Sequence, residues 1–175
     1  MTDMHTSIEL KQASANDIQA ILDICDDARR FQREIGFRQW ADGYPSEEVI
    51  AADIAASKGF LITADSNIIG YCVIDLSGDK EYDSRKDIWA DEEPYAAIHR
   101  LALARNARGK GYSKPIIENI LKYVAGLGIM MVKVDTGTAN QPMQRLLAST
   151  GFICRGKYTF TWGERLAYDL KIIPR

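Results

Sequence analysis

The chain has 175 residues, of which 46% are hydrophobic and 26% are charged, and its formal net charge is −2. These values are typical of one globular domain with a real core, and the absence of a basic excess argues against a general nucleic-acid binder. No apolar run approaches the about 18 residues that a membrane helix needs, so no membrane association is expected. The three cysteines, Cys25, Cys72 and Cys154, lack metal-type or redox-type spacing and indicate reduced thiols in a cytoplasmic protein.

The first half of the chain is predicted to begin with a strand, two helices and a strand pair. Alternation of apolar and polar residues predicts the first strand over Ile8 to Ala13. A helix that Ser14 or Asn16 can cap then runs to Gly36, and a second helix begins after Ser46 and ends near Gly59. Two further strands flank a short turn, over Phe60 to Ala64 and Ile68 to Asp75.

The second half alternates strands and helices. Residues 78–93 are predicted to be irregular, and the following elements are a strand over Tyr95 to Leu103, a helix over Lys114 to Val124, a strand over Ile129 to Asp135, a helix over Gln141 to Ser149, and a strand pair over Phe152 to Tyr158 and Glu164 to Ile172. The order β-α-α-β-β-β-α-β-α-β-β predicts an α/β fold, with a single mixed, mostly antiparallel central sheet flanked by helices on both faces. One domain is expected, over residues 8–173.

The most informative segment is the glycine loop, Arg108-Gly109-Lys110-Gly111-Tyr112-Ser113, which lies between a predicted strand and a predicted helix. The stretch from Arg100 to Lys114 carries five basic residues and no acidic one. Backbone N–H groups in such a turn, together with a helix N-terminus, form a natural site for a pyrophosphate. The alternative is that the glycines serve only the geometry of the turn.

The glycine loop resembles the signature of the GNAT family of N-acetyltransferases, which is Gln or Arg, two residues, Gly, one residue, then Gly or Ala. Ser113 departs from the last position but is small. A second element also resembles the family, namely Asn140 followed by Met143, Leu146 and Gly151-Phe152. The resemblance covers nearly the whole chain and implies acetyl-CoA as the acetyl donor and a primary amine as the acceptor. No cluster of metal ligands stands out in the sequence, so no metal is expected.

The resemblance also implies roles for individual positions. The backbone N–H of Leu101 would contact the thioester carbonyl, and Leu103 would pair with an amide of pantetheine. The residues expected to bind the cofactor are Leu101, Leu103, Arg108, Gly109, Lys110, Gly111, Tyr112, Ser113, Lys114 and Asn140. An N–H group aimed at the thioester oxygen is typically worth about 3 kcal/mol, because negative charge develops on that oxygen in the transition state.

Two catalytic positions of the family are altered in this chain. The glutamate base of histone-acetylating members corresponds to Ala97, and the tyrosine that protonates the thiolate corresponds to Leu147. His99 lies two residues after Ala97 on the same predicted strand face, and histidine is suited to take a proton near neutral pH. His99 is therefore the candidate base, unless it is an ordinary core histidine. Tyr158 or water could protonate the thiolate.

Large aromatic residues in predicted loops are candidates for the acceptor site. Trp40, Tyr44 and Trp89 either line such a pocket or close the edge of the core. The segment from Asp75 to Glu93 carries eight acidic and three basic residues. It either attracts cationic amines or is simply a solvated loop.

The sequence thus predicts a cytoplasmic N-acetyltransferase that moves an acetyl group from acetyl-CoA to a primary amine of a small molecule or peptide. Attack would be direct, in a ternary complex, because no motif supports a protein nucleophile. The alternative is a non-catalytic acyl-CoA-binding sensor, which needs neither the missing glutamate nor the missing tyrosine. The partner is the amine acceptor, and a homodimer is compatible with the sequence, which leaves the oligomeric state open.

Overall fold

The computed structural model describes residues 6–89 and 94–173. Its strands are β1 (Ile8–Gln12), β2 (Gly59–Ala64), β3 (Asn67–Asp75), β4 (Tyr95–Leu103), β5 (Met131–Gly137), β6 (Ile153–Phe160) and β7 (Gly163–Lys171). Its helices are α1 (Ile18–Glu34), α2 (Glu47–Ala55), α3 (Lys80–Asp83), α4 (Ser113–Gly126) and α5 (Gln141–Ser149). This order confirms the predicted fold class and adds α3 to it.

The strands of the described chain form one seven-stranded sheet in the order β1-β2-β3-β4-β5-β7-β6. Every neighbouring pair is antiparallel except β4 and β5, which are parallel. The β4–β5 pairing is short, because it joins only residues Tyr95 to Ala97 with residues Met131 to Lys133. Beyond Ala97 the two strands no longer pair, and a gap opens in the middle of the sheet.

A β-bulge in β4 lies beside this gap. His99 pairs with Val73 and Ala102 pairs with Tyr71, so Arg100 and Leu101 together lie opposite one residue of β3. Arg100 has a φ of +51°, in the left-handed region, which costs a residue with a side chain about 1–3 kcal/mol. Surrounding contacts must therefore hold the bulge in place.

Helices cover both faces of the sheet, as predicted. Alternation along β2 sends Phe60 and Ile62 into one core, which they share with the buried face of α4 and with α5. Leu61, between them in sequence, lies in a second core with α1 and α2. All six residues of β2 are buried for this reason.

The region 78–93 was predicted to be irregular, and this prediction was wrong for residues 80–83. Asp79 caps α3 there, because its Oδ1 accepts hydrogen bonds from the N–H groups of Glu81 (2.8 Å) and Tyr82 (3.1 Å). Tyr82 is completely buried in a third cluster with Tyr95, Ala97 and Phe160. The four residues 90–93 of this region lie outside the described residues.

Leu147 on α5 is fully buried in the first core. We expect Leu147→Ala to lower the free energy of unfolding by about 2–5 kcal/mol, because it removes apolar contacts and leaves a cavity. Chemical denaturation followed by circular dichroism would measure the loss. Leu127→Ala is the matched control, since Leu127 is 50% exposed and should lose much less. Equal losses in the two variants would contradict the core position of Leu147.

Candidate functional site

Two cavities meet at the gap between β4 and β5. The glycine-loop cavity, of about 360 Å³, is lined by residues of α1, the end of β4, the glycine loop and α5. The aromatic cavity, of about 660 Å³, lies on the α1–α2 side and is lined by Trp40, Tyr44 and Trp162 together with several charged residues. Gln32, Leu101, Asn140 and Met143 line both cavities. A molecule in one cavity can therefore reach a molecule in the other beside Leu101.

The glycine loop has the backbone of an anion site. Gly109 and Gly111 have φ values of +75° and +77°, which glycine adopts without strain. No hydrogen bond between described residues uses the N–H groups of residues 109–112 as donors. Helix α4 begins immediately afterwards at Ser113, and Pro115 in its first turn has no N–H of its own. Unpaired donors and the positive end of α4 therefore lie together.

The cofactor-binding residues predicted from the sequence do lie close together, but not all of them line the cavity. Leu101, Leu103, Arg108, Gly109, Ser113 and Asn140 line the glycine-loop cavity, whereas Lys110, Gly111, Tyr112 and Lys114 lie in the same loop and first helical turn outside that lining. The guanidinium of Arg108 is 4.7 Å from the centre of the Phe31 ring, and its Nη2 donates to the Leu103 carbonyl at 2.8 Å. Burial lowers the pKa of Arg108.

Asn140 has a structural role at the junction of the two cavities. Its Oδ1 caps α5 by accepting from the N–H of Met143 (3.2 Å), and its Nδ2 donates to Gln39 Oε1 (3.1 Å). The same Gln39 oxygen accepts from the N–H of Gly137 at 2.9 Å. Gln32 in turn accepts from the N–H of Gln39 at 3.0 Å. These amides tie the loop between α1 and α2 to the end of β5.

The three predicted acceptor-site aromatics are not brought together. Trp40 and Tyr44 line the aromatic cavity and contact each other edge to face, with ring centres 6.1 Å apart. The described lining of this cavity does not include Trp89, which donates its indole N–H to the Tyr82 carbonyl at 3.1 Å. Trp162 lines the cavity instead, stacked on Phe160.

His99 also lines the aromatic cavity, and its imidazole is paired. Nε2 lies 3.2 Å from Asp79 Oδ2, and the ring contacts Tyr82. Burial opposes ionisation of Asp79, but the contact with His99 and the two backbone N–H groups of α3 lower the pKa of this carboxyl overall. The pair has the arrangement of an imidazole oriented by a carboxylate, which favours proton transfer at the other ring nitrogen.

Another partly buried carboxyl, Asp135, lines the same cavity. It accepts hydrogen bonds from the Tyr82 hydroxyl (2.6 Å) and the Trp162 indole (3.3 Å), and Arg165 Nε lies 3.4 Å away. Burial raises the pKa of Asp135 despite these partners. The acidic segment therefore contributes Asp75 and Asp79 to the cavity, and β5 contributes Asp135.

The two altered family positions are closed to solvent. Ala97 and Leu147 have no exposed surface. Tyr158, considered above as an acid for the thiolate, donates its hydroxyl to the Arg155 carbonyl at 2.9 Å and is not part of the described lining of either cavity.

Several site residues were missed by the sequence analysis. Trp162 lies between two predicted strands, immediately before Gly163. It is a large aromatic residue in a predicted loop, as Trp40 is, so the sequence could have indicated it as a candidate for the acceptor site. Asp53, Asp135 and Gln39 carried no local signal, because they bind Arg100, Tyr82 and Gly137, which are distant in sequence. Gln32 binds the nearby backbone N–H groups of Gln39 and Trp40, but a single glutamine on a helix forms no pattern. Asp79 was noted only as part of an acidic segment.

Comparison with known proteins gives a consistent result. A model of the acetyltransferase (GNAT) family matches residues 21–152. A GNAT-family acetyltransferase from Streptococcus agalactiae is 26% identical, with 96% of each chain covered and a TM-score of 0.83. A GNAT-family acetyltransferase from Listeria monocytogenes is 21% identical, with 98% of this chain and 99% of that chain covered and a TM-score of 0.75.

The fold also matches the aminoglycoside acetyltransferase AAC(6')-Ib, solved with paromomycin and acetyl-CoA. The identity is 17%, 94% of this chain and 93% of that chain are covered, and the TM-score is 0.71. The search of the curated proteins found no match. Within the described residues, no helix is long and apolar enough to cross a membrane, and no group of three or more His, Cys, Asp or Glu residues could hold a metal ion.

We expect Gly111→Val to weaken acetyl-CoA binding by about tenfold or more, which is about 1.4 kcal/mol. A β-carbon at Gly111 meets no protein atom within 4 Å, so the loss would come from the left-handed backbone and from crowding of the bound anion. Arg108→Ala should lose less, because the backbone N–H groups remain. Titration calorimetry would measure both affinities.

The matched control for this prediction is Gly128→Val. Gly128 follows α4, has a φ of +80°, and also has open space around an added β-carbon. The Gly128→Val variant should have similar backbone strain, but the protein should keep its affinity for acetyl-CoA. If Gly111→Val binds acetyl-CoA like the parent protein, the anion site lies elsewhere.

Proposed function

The chain belongs to the GNAT family of acetyltransferases, and we propose that it transfers an acetyl group from acetyl-CoA to a primary amine of a small molecule. The observation that carries this proposal is the meeting of the two cavities beside Leu101. Acetyl-CoA would occupy the glycine-loop cavity, with its pyrophosphate at the loop and its thioester at the gap. The amine would occupy the aromatic cavity.

Donor binding is supported by the chemistry of the glycine loop. Unpaired N–H groups, the positive end of α4 and the basic side chains of Arg108 and Lys110 all favour a pyrophosphate. The pantetheine arm is flexible and partly apolar, and the cavity walls offer Phe31, Leu103 and Met143 to it. The structurally similar AAC(6')-Ib was solved with acetyl-CoA, which supports acetyl-CoA as the donor.

The aromatic cavity favours a small cationic acceptor. Its volume of about 660 Å³ lies within the range of small-molecule sites, about 300–1,000 Å³. Carboxylates of Asp75, Asp79 and Asp135 line it, and the faces of aromatic rings also attract cations. AAC(6')-Ib was solved with an aminoglycoside, which supports an acceptor that carries several amines.

The reaction requires a neutral amine. An alkyl ammonium with a pKa of about 10.4 is almost fully protonated near neutral pH, and deprotonation then costs about 4 kcal/mol. We propose that His99, oriented by Asp79, first accepts this proton, and that the neutral amine nitrogen then attacks the thioester carbon. The extra proton that the nitrogen carries after the attack leaves to water as the amide forms. The Leu101 N–H would stabilise the oxyanion, and collapse of the tetrahedral intermediate would release CoA as a thiolate.

The thiolate needs no dedicated acid in this proposal. A CoA thiol has a pKa near that of cysteine, about 8.5, so water can protonate the thiolate at modest cost. Leu147 occupies the family position for the acid, and its burial is consistent with an apolar role only.

The alternative is a non-catalytic acyl-CoA sensor, and the observation that favours it is the replacement of both family catalytic side chains by Ala97 and Leu147. A sensor would bind acetyl-CoA but would not need the aromatic cavity or the oriented His99. A location in the cytoplasm and a homodimer stay predictions under either proposal.

Release of CoA in the presence of a panel of primary amines distinguishes the two functions. We expect at least one cationic small amine to give CoA release that saturates with amine concentration, as a thiol reagent would detect. Acetyl-CoA without an amine is the control for thioester hydrolysis. Binding of acetyl-CoA without release for any amine would favour the sensor.

The role of His99 can be tested with two variants. His99→Ala should lower kcat by about a hundredfold or more, the usual contribution of a general base, with acetyl-CoA affinity nearly unchanged. Asp79→Asn keeps an oxygen to cap α3 but loses the carboxylate beside the imidazole. It should lower kcat with acetyl-CoA affinity nearly unchanged, because the imidazole loses the carboxylate that orients it.

Tyr158→Phe serves as the control for these variants, since Tyr158 is outside the described lining of both cavities and should keep the parent kcat. If His99→Ala retained full activity and the parent pH profile, another group such as Asp135 would have to take the proton.

A further inference from the structure

Arg100 stands apart from the other described residues that have a side chain and a left-handed backbone. Ser57, Asp65 and Ser66 lie in turns after α2 and between β2 and β3, where such a conformation is common. Arg100 lies inside β4, at the bulge, with a φ of +51°. A residue with a long side chain inside a β-strand does not adopt this conformation unless its surroundings hold it there.

The side chain of Arg100 is held by a buried carboxylate on α2. Its Nε donates to Asp53 Oδ2 at 2.8 Å and its Nη2 donates to Asp53 Oδ1 at 2.5 Å, so the guanidinium and the carboxylate form a two-point contact. Nη1 donates to the Tyr44 hydroxyl at 2.9 Å. Asp53 also accepts from the hydroxyl of Tyr71 at 3.2 Å.

These contacts fix the bulge from both sides. Asp53 is only 7% exposed and is carried by a helix, and Tyr71 is a fully buried residue of the neighbouring strand β3. Asp53 therefore binds β3 through Tyr71 and β4 through Arg100. Together these two contacts bridge the register shift between the two strands. The planar guanidinium makes its two bonds only in one orientation, so the end of the Arg100 side chain is fixed relative to α2.

The residue that follows Arg100 is Leu101, which lies at the junction of the two cavities. A change in the bulge would rotate the peptide between Arg100 and Leu101 and redirect the Leu101 N–H. Without the bulge, β4 would continue its regular register with β3, and that N–H would no longer be set at the gap.

We propose that the Asp53–Arg100 ion pair is a positioning device that locks the β4 bulge, so that the Leu101 N–H points at the thioester oxygen of acetyl-CoA. This inference rests on the proposed function. Arg100 and Asp53 act through the backbone in this role and take no part in proton transfer. The contact of Arg100 with Tyr44 ties one wall of the aromatic cavity to the same device.

The test uses infrared spectroscopy of bound acetyl-CoA that is isotope-labelled at the thioester carbonyl, together with steady-state kinetics. A hydrogen bond from an N–H lowers the stretching frequency of a carbonyl, and this readout needs no amine. In the parent protein we expect binding to shift the band to lower frequency. In Asp53→Asn, which keeps an oxygen for Tyr71 but loses the charge, we expect a smaller shift with donor affinity unchanged.

The kinetic expectation for Asp53→Asn is a kcat lower by about ten- to a hundredfold. This is less than the loss of about a hundred- to a thousandfold that follows outright removal of an oxyanion donor. The matched control is Asp169→Asn. Asp169 is 1% exposed and is bound by Arg155 Nε at 2.9 Å, in a pair that lines neither cavity within the described residues. It should lose stability but keep the parent band shift and kcat.

A second variant keeps the test decisive if Asp53→Asn does not fold. Asp53→Leu/Arg100→Met/Tyr71→Phe replaces the buried network with apolar side chains of similar volume, an exchange that proteins often tolerate. It should fold, bind acetyl-CoA and show the reduced band shift. Unfolding of both variants would assign the pair to the stability of the sheet and overturn the positioning role.

The remaining outcomes separate this inference from the proposed function. If the parent protein does not bind acetyl-CoA, the proposed function fails and this inference fails with it. If the parent binds and shows the shift, but Asp53→Asn shows the same shift and the same kcat, the positioning role alone is wrong.

Discussion

The separation of β4 from β5 is the constraint on which the rest of the molecule depends. Parallel pairing stops after three residues, at Ala97 and Lys133. From there each strand has backbone groups that face a gap, and the bulge of β4 at Arg100 and Leu101 lies beside it. A continuous sheet would have buried these groups in its own ladder. Because it is interrupted, the two cavities can meet at one backbone position, Leu101.

The sheet tolerates this interruption because its two halves are stable for separate reasons. The half from β1 to β4 is packed between α1 and α2 on one face and α4 on the other. The half formed by β5, β7 and β6 is antiparallel, with long pairing between β5 and β7. Across the gap, α5 and the Gln39 contacts to Gly137 and Asn140 replace part of the missing ladder. Polar side chains thus hold the loop between α1 and α2 where strand pairing has ended.

Most of the fold was predictable because it depends on local patterns. Alternation and helical spacing placed every strand and the four long helices, and Ser46 caps α2 as expected, with its hydroxyl accepting from the N–H of Val49. The exception, α3, is too short to have a period, and it forms because Asp79 caps it and Tyr82 is buried. The extent of β4–β5 pairing was not predictable from the strands themselves. A short parallel ladder and a long one require the same kind of apolar residues.

The site was predictable only where its signal is local in sequence. The glycine loop is six consecutive residues, so its positive φ values and unpaired N–H groups follow from composition and order. The polar network of the aromatic cavity is different, because Arg100 binds a residue 47 positions away and Tyr82 binds one 53 positions away. Single polar residues on apolar strands and helices have no pattern of their own. Trp89 shows the converse, since an aromatic in a predicted loop contributes to the third core cluster instead.

The pairing of the acidic residues in the aromatic cavity bears on how an amine could react there. Asp53 is bound by Arg100, Asp75 by Lys58, Asp79 by His99 and Asp135 by Tyr82 and Trp162. A carboxylate has about four lone-pair positions, so partners already occupy most of this capacity. A free carboxylate beside the reacting nitrogen would stabilise its ammonium form and raise the barrier to deprotonation. Carboxylates that are already paired still attract a cation over several ångströms, but they hold the reacting nitrogen less tightly. The cavity can therefore attract a cationic acceptor and still allow His99 to take the proton.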